Sequence, residues 1–145
     1  TLRFNFRGVA SSEGSYDDGR GEQQDLRAAI AYLEHQGIAE ILLAGYSFGA
    51  WVTSAVLPGR NFLPAVLVSP PIALFPFDFT FLRGMIGLIV CGDSDPFCPL
   101  DEIKAAAARA SCPLEIIPDT DHFLRGKESQ LAAAVSSLQF SCLKC

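Results

Sequence analysis

The sequence predicts an α/β domain in which a mostly parallel sheet is flanked by helices. Two observations carry that prediction. Short aliphatic runs of strand length alternate along the chain with amphipathic stretches of helical period. The chain also has 145 residues, half of them hydrophobic. That suffices for one domain with a full core, a size at which roughly 70% of the unfolded chain's surface becomes buried.

The strand candidates are residues 2–6, 40–44, 65–69, 87–91 and 114–117, each rich in aliphatic or aromatic side chains. Between the first two, Leu26, Ala29, Ile30 and Leu33 recur at the spacing of one helix face, and Gly37 follows where a helix C-terminus is expected. Residues 101–110 open with Asp101 and Glu102, whose charge suits the N-terminal end of a helix dipole. They place Ile103, Ala106, Ala107 and Ala110 on one face. Leu131, Ala134, Val135 and Leu138 repeat the pattern near the end. Residues 8–21, rich in Ser, Gly and Asp, read as a loop. The Pro- and Phe-rich residues 70–81 form an irregular apolar connection that either lines an acyl pocket or packs into the core. No repeat, low-complexity tract or linker divides the chain, so a single domain is expected.

A net charge of −5, with eleven Lys and Arg and no basic cluster, speaks against nucleic acid or an anionic membrane as partner. The longest apolar stretches, such as residues 85–91, fall short of the roughly 20 residues a membrane-spanning helix needs. The first residues lack a signal-peptide pattern, so a cytoplasmic location is expected. The cysteines at 91, 98, 112, 142 and 145 are odd in number and too sparse for a disulfide scaffold, so they read as reduced thiols. Cys142 and Cys145 form a lone CxxC with no further ligand pair, and no zinc site is expected there. Cys98 lies beside the acid loop described next and is the candidate for a reactive thiol.

The chemistry concentrates in Gly45-Tyr46-Ser47-Phe48-Gly49, a G-x-S-x-G sequence at the junction of a predicted strand and a predicted helix. In such an elbow the serine backbone occupies a strained turn. Residues two positions to either side approach closely enough that side chains larger than glycine's are expected to clash. The turn thrusts the Ser47 hydroxyl beyond the strand, and the amide of Phe48 at the helix start faces a developing oxyanion. A serine hydroxyl is a poor nucleophile near neutral pH, so it needs a histidine to take its proton and a carboxylate to orient that histidine.

Of the two histidines, His35 sits on the polar side of a helix, whereas His122 follows the strand at 114–117, on a loop at the carboxyl end of the sheet. His122 is the better base. Asp93 and Asp95 follow another strand, and Asp119 and Asp121 lie close to the histidine; Asp95 is the preferred acid. Ser47, Asp95 and His122 then run in the order nucleophile, acid, histidine. The glycines around Arg20 lack the spacing of a phosphate-binding loop, and the Asp93, Asp95 and Asp101 region lacks the calcium-loop pattern. Neither metal nor cofactor is expected.

These motifs, "GYSFGA", "GDSDPFCP" and "DTDHF", together with "RFNFRGVASSEGSYDDGRGEQQDLRAAI", resemble the α/β-hydrolase superfamily over most of the chain. In particular they resemble its small lidless bacterial members related to dienelactone hydrolases. The resemblance implies a partial α/β-hydrolase fold and a carboxylesterase-like serine hydrolase acting on a small acyl substrate, with Asp95, the second aspartate of its loop, as the triad member. It also implies that residues 2–6 correspond to the family's fourth strand, with no counterpart for the first three. The family's third strand lies between the fourth and fifth. A contiguous sheet would then require residues 2–6 to pair with 40–44, or another chain to fill the slot. The loop after that third strand supplies the family's second oxyanion amide, and loss of one such donor typically costs about 10² to 10³ in turnover. Impaired activity is expected on that ground. The alternative is a non-catalytic binding or interaction module that self-associates through an exposed sheet edge.

Overall fold

In a computed structural model of the protein, residues 1–138 are described. Cys142 and Cys145 lie outside them. The chain runs α1 (Arg20–His35), β1 (Leu42–Tyr46), α2 (Phe48–Val56), β2 (Leu63–Val68), β3 (Ile86–Gly92), α3 (Leu100–Ala110), β4 (Leu114–Ile117), α4 (Glu128–Ser136). The strands form one parallel sheet in the order β1-β2-β3-β4.

Side chains alternate across this sheet, and both faces are covered, which is why its strands read as continuous apolar runs. Ala65, Leu67, Ile89 and Cys91 point to the face packed by α1, α2 and α3. Val66, Val68, Leu88 and Val90 point to the other, where Leu124 and the α4 residues Leu131 and Ala134 sit. The helix faces predicted from period match closely in α3, whose Ile103, Ala106, Ala107 and Ala110 are all buried. In α1, Leu26 and Ile30 are buried and Gly37, at φ 80°, takes the turn after the helix. The α4 face is weaker, with no buried residue and Val135 exposed. Among the described residues no helix is long and apolar enough to cross a membrane.

Residues 2–6 are not a strand. Their apolar alternation is present, but a strand exists only where its backbone finds a partner. Phe6 packs against the core while Leu2 and Phe4 stay 40% and 41% exposed. Ser47 N–H donates to Val68, and Ile41 accepts from Leu63 N–H, so the odd-numbered positions of this stretch bond to β2. By alternation Leu42, Ala44 and Tyr46 turn their backbone groups to the open edge. A groove of about 580 Å³ separates that edge from residues 2–6, lined by Leu2, Phe4, Phe6, Ala44 and Tyr46. The direct pairing of residues 2–6 with 40–44, one of the two ways to a contiguous sheet, therefore does not form. The strand expected at 40–44 is displaced to Leu42–Tyr46, because pairing with β2 runs up to the elbow itself.

Candidate active site

Ser47 joins β1 to α2 with φ 53° and ψ −122°, an unusual backbone for a residue with a side chain. Its N–H donates to the Val68 carbonyl at 2.9 Å, and its own carbonyl accepts from Ala50 N–H at 2.8 Å, which fixes the turn from both sides. The two flanking glycines differ. A Cβ on Gly45 would overlap the Gly49 carbonyl and the Ala50 Cα, whereas a Cβ on Gly49 would meet nothing within 4 Å. The close approach expected on both sides of the serine is thus imposed at Gly45 alone, because Gly45 faces the helix backbone and Gly49 faces open space. Phe48 is the first residue of α2, so its N–H has no carbonyl of its own helix to bond.

The structure brings Ser47, His122 and Asp95 together at the carboxyl end of the sheet. Ser47 Oγ lies 2.7 Å from His122 Nε2, and His122 Nδ1 lies 2.8 Å from Asp95 Oδ2. An ionised carboxylate only accepts hydrogen bonds, so it assigns the proton to Nδ1 and leaves Nε2 as acceptor for the serine hydroxyl. The Asp95 side chain is fully buried and that of His122 is 6% exposed, which shields their contact from water. Phe97 N–H donates to the second Asp95 oxygen at 2.9 Å. The aspartate is held at both oxygens.

The remaining candidates fall elsewhere. His35 is exposed in the last turn of α1, and Asp119 and Asp121 are exposed loop acids. Asp93 accepts the N–H groups of Asp119 and Thr120 at 3.0 and 3.2 Å, and those bonds hold its carboxyl below the usual range. Among the described residues no three His, Cys, Asp or Glu gather as metal ligands would. Cys98 is fully buried; its hydrogen bond with Cys91, reinforced by burial, pushes its thiol far above the ordinary range. This buried setting is not the exposed, electropositive one that favours the reactive thiol expected at Cys98.

Aromatic rings surround the site, and their roles were not read from sequence. Phe97, Phe123 and Tyr46 lie with ring centroids 5.0, 5.5 and 5.7 Å from that of His122. On the other side, Phe48 contacts Phe6, Tyr16, Trp51 and Phe75, and Trp51 stacks on Phe75 at 4.6 Å. Of the two roles expected for the 70–81 connection, the structure shows core packing in part. Phe79 is buried in the core, whereas Phe75 joins the cluster around Phe48.

A parallel sheet carrying a serine elbow on one strand, and an acid and a histidine on loops after later strands, defines a serine-hydrolase scaffold. Similarity to known proteins agrees. An α/β serine hydrolase homologue from Coxiella burnetii superposes with a TM-score of 0.83 and 34% identity, over 94% of this chain and 68% of that one. A serine hydrolase without a lid from Xanthomonas campestris gives 0.81 and 30%, over 92% and 62%. An uncharacterized protein of Rickettsia prowazekii is 34% identical over 93% of this chain. The chain spans 62% of that curated relative's length. No family model matches. The chain belongs to the α/β-hydrolase superfamily.

Proposed function

We propose that this chain acts as a carboxylesterase-like hydrolase, transferring an acyl group from a small ester or related substrate to water. The observation that carries the reading is the continuous contact from Ser47 Oγ through His122 to Asp95. Ser47 Oγ attacks the substrate carbonyl carbon while its proton passes to His122 Nε2. The Phe48 N–H stabilises the resulting oxyanion. As the intermediate collapses, His122 returns the proton to the leaving oxygen and the acyl group stays on Ser47. Water then attacks the acyl-serine, with His122 again taking the proton, and the free acid and Ser47 are released. Asp95 orients the imidazole and balances its transient charge. The step needs no cofactor.

The open β1 edge supports a second reading, a module that pairs with a second copy of itself through backbone hydrogen bonds. Hydrolysis of p-nitrophenyl acetate separates the two. The enzyme reading expects turnover that falls to the uncatalysed background in Ser47→Ala. A folded chain that self-associates and gives the background rate with Ser47 intact supports the module instead.

A further inference from the structure

The side-chain contacts of His122 do not explain why its backbone is where it is. Residues 118–122 carry no helix or strand, and Asp119 within them has φ 53°, a conformation that costs a non-glycine residue energy. Such a segment stays in place only if its surroundings hold it. Five hydrogen bonds do so. Asp93 N–H donates to the Ile117 carbonyl at 3.1 Å, and Ser94 N–H donates to the Thr120 carbonyl at 3.0 Å. The Asp93 carboxylate accepts both the Asp119 and the Thr120 N–H, at 3.0 and 3.2 Å. Finally, the Tyr46 hydroxyl donates to the His122 carbonyl at 3.0 Å.

The last contact makes the arrangement specific. Tyr46 and Ser47 are consecutive, and each grips His122, one at its carbonyl and the other at its ring. Asp93 and Asp95 likewise lie two residues apart on one loop, the first holding the backbone that leads into the histidine and the second holding its ring. Backbone and imidazole are therefore fixed from the same two segments, the end of β1 with its elbow and the loop after β3. A shift of residues 118–122 away from either segment strains a backbone tether together with a ring contact.

We infer that Tyr46 and Asp93 are positioning residues, which clamp the loop carrying His122 so that its Nε2 remains in reach of Ser47 Oγ. This rests on the hydrolase reading of the site for its kinetic consequence, not for its structural one. The cost of losing the clamp is expected in the chemical step, since a misplacement of about 1 Å can lower a rate by about 10²-fold.

Three variants test it. Tyr46→Phe keeps the ring and removes only the donor. Asp93→Ala removes both acceptor oxygens, whereas Asp93→Asn keeps one. For p-nitrophenyl acetate, Tyr46→Phe is expected to lower kcat about tenfold and Asp93→Ala about 10²-fold, with KM within about twofold of wild type. Asp93→Asn should recover part of the loss. A second readout needs no turnover: the low-field Nδ1 proton resonance of His122 should be sharp in the wild type and broadened in Tyr46→Phe and Asp93→Ala. If the wild type turns over ester and the variants match it in kcat, the clamp is overturned. If the wild type turns over no ester, the hydrolase reading fails and the resonance decides alone: broadening in the variants supports the clamp, and an unchanged signal in all three overturns it.

Discussion

Ser47 gains its geometry from the backbone and its reactivity from its neighbours. The left-handed φ of 53° aims the hydroxyl away from the sheet, and His122 Nε2 meets it at 2.7 Å. What makes that nitrogen an acceptor is the Asp95 carboxylate on the far side of the ring, which accepts a hydrogen bond from Nδ1–H and so keeps the proton on Nδ1. Asparagine at position 95 can present an N–H in place of an acceptor and favour the wrong tautomer. On the proposed mechanism, Asp95→Asn should lower kcat by about 10⁴-fold, as loss of the orienting carboxylate does in a serine protease triad. Thermal unfolding should stay close to wild type, since the replacement is isosteric. Steady-state kinetics on a p-nitrophenyl ester, beside a melting curve, checks both parts; near-normal turnover would remove Asp95 from the mechanism.

At the scale of elements, the strand, turn and helix from Leu42 to Val56 depend on one close approach. Gly45 lies against the backbone of Gly49 and Ala50, so a methyl group there must push α2 away from β1. Gly45→Ala should therefore destabilise the fold by about 2–3 kcal/mol. Gly49→Ala should be tolerated, and at a helical position with free space the gain over glycine is up to about 1 kcal/mol. Guanidinium unfolding of the pair measures the contrast, and equal losses in both would contradict it. The motif makes the two glycines look equivalent; only the packing distinguishes them. Helix α3 is legible in the sequence because its burial follows a 3.6-residue period without exception. Residues 2–6 mislead for the converse reason. Their alternation describes which side chains are apolar, but strand formation is decided by a neighbour that local sequence does not specify.

Across the whole molecule, Ser47, Asp95 and His122 are readable because each sits in a short motif just after a strand, and a parallel sheet delivers all such loops to one rim. The tethers on the histidine loop are not readable in the same way. Tyr46 reaches a carbonyl 76 residues away, and a contact to backbone leaves no signature in the identity of its partner. A second long-range contact ties the N-terminal segment to α1: Arg7 donates to Asp25 through its backbone N–H at 2.9 Å and through its guanidinium at 2.7 Å. The Arg7 side-chain hydrogen bond holds the Asp25 carboxyl below its ordinary range. The unfolded chain therefore takes up this proton more readily than the folded one. The contribution of the pair is fully present above the unfolded carboxyl pKa of about 4 and is lost as pH falls through the lower folded value. Between pH 6 and pH 3, wild type should lose more stability than Asp25→Asn, as read from denaturant midpoints. An equal fall in both would place the acid sensitivity elsewhere.

Cooperation among three distant side chains is tested most directly by mass spectrometry of the folded chain after exposure to a fluorophosphonate. If Ser47, His122 and Asp95 act together, one phosphonyl adduct forms, it maps to Ser47, it is absent from Ser47→Ala, and its formation is strongly slowed in His122→Ala. A folded chain that remains unmodified, or that carries its adduct on a different residue, contradicts the proposed chemistry.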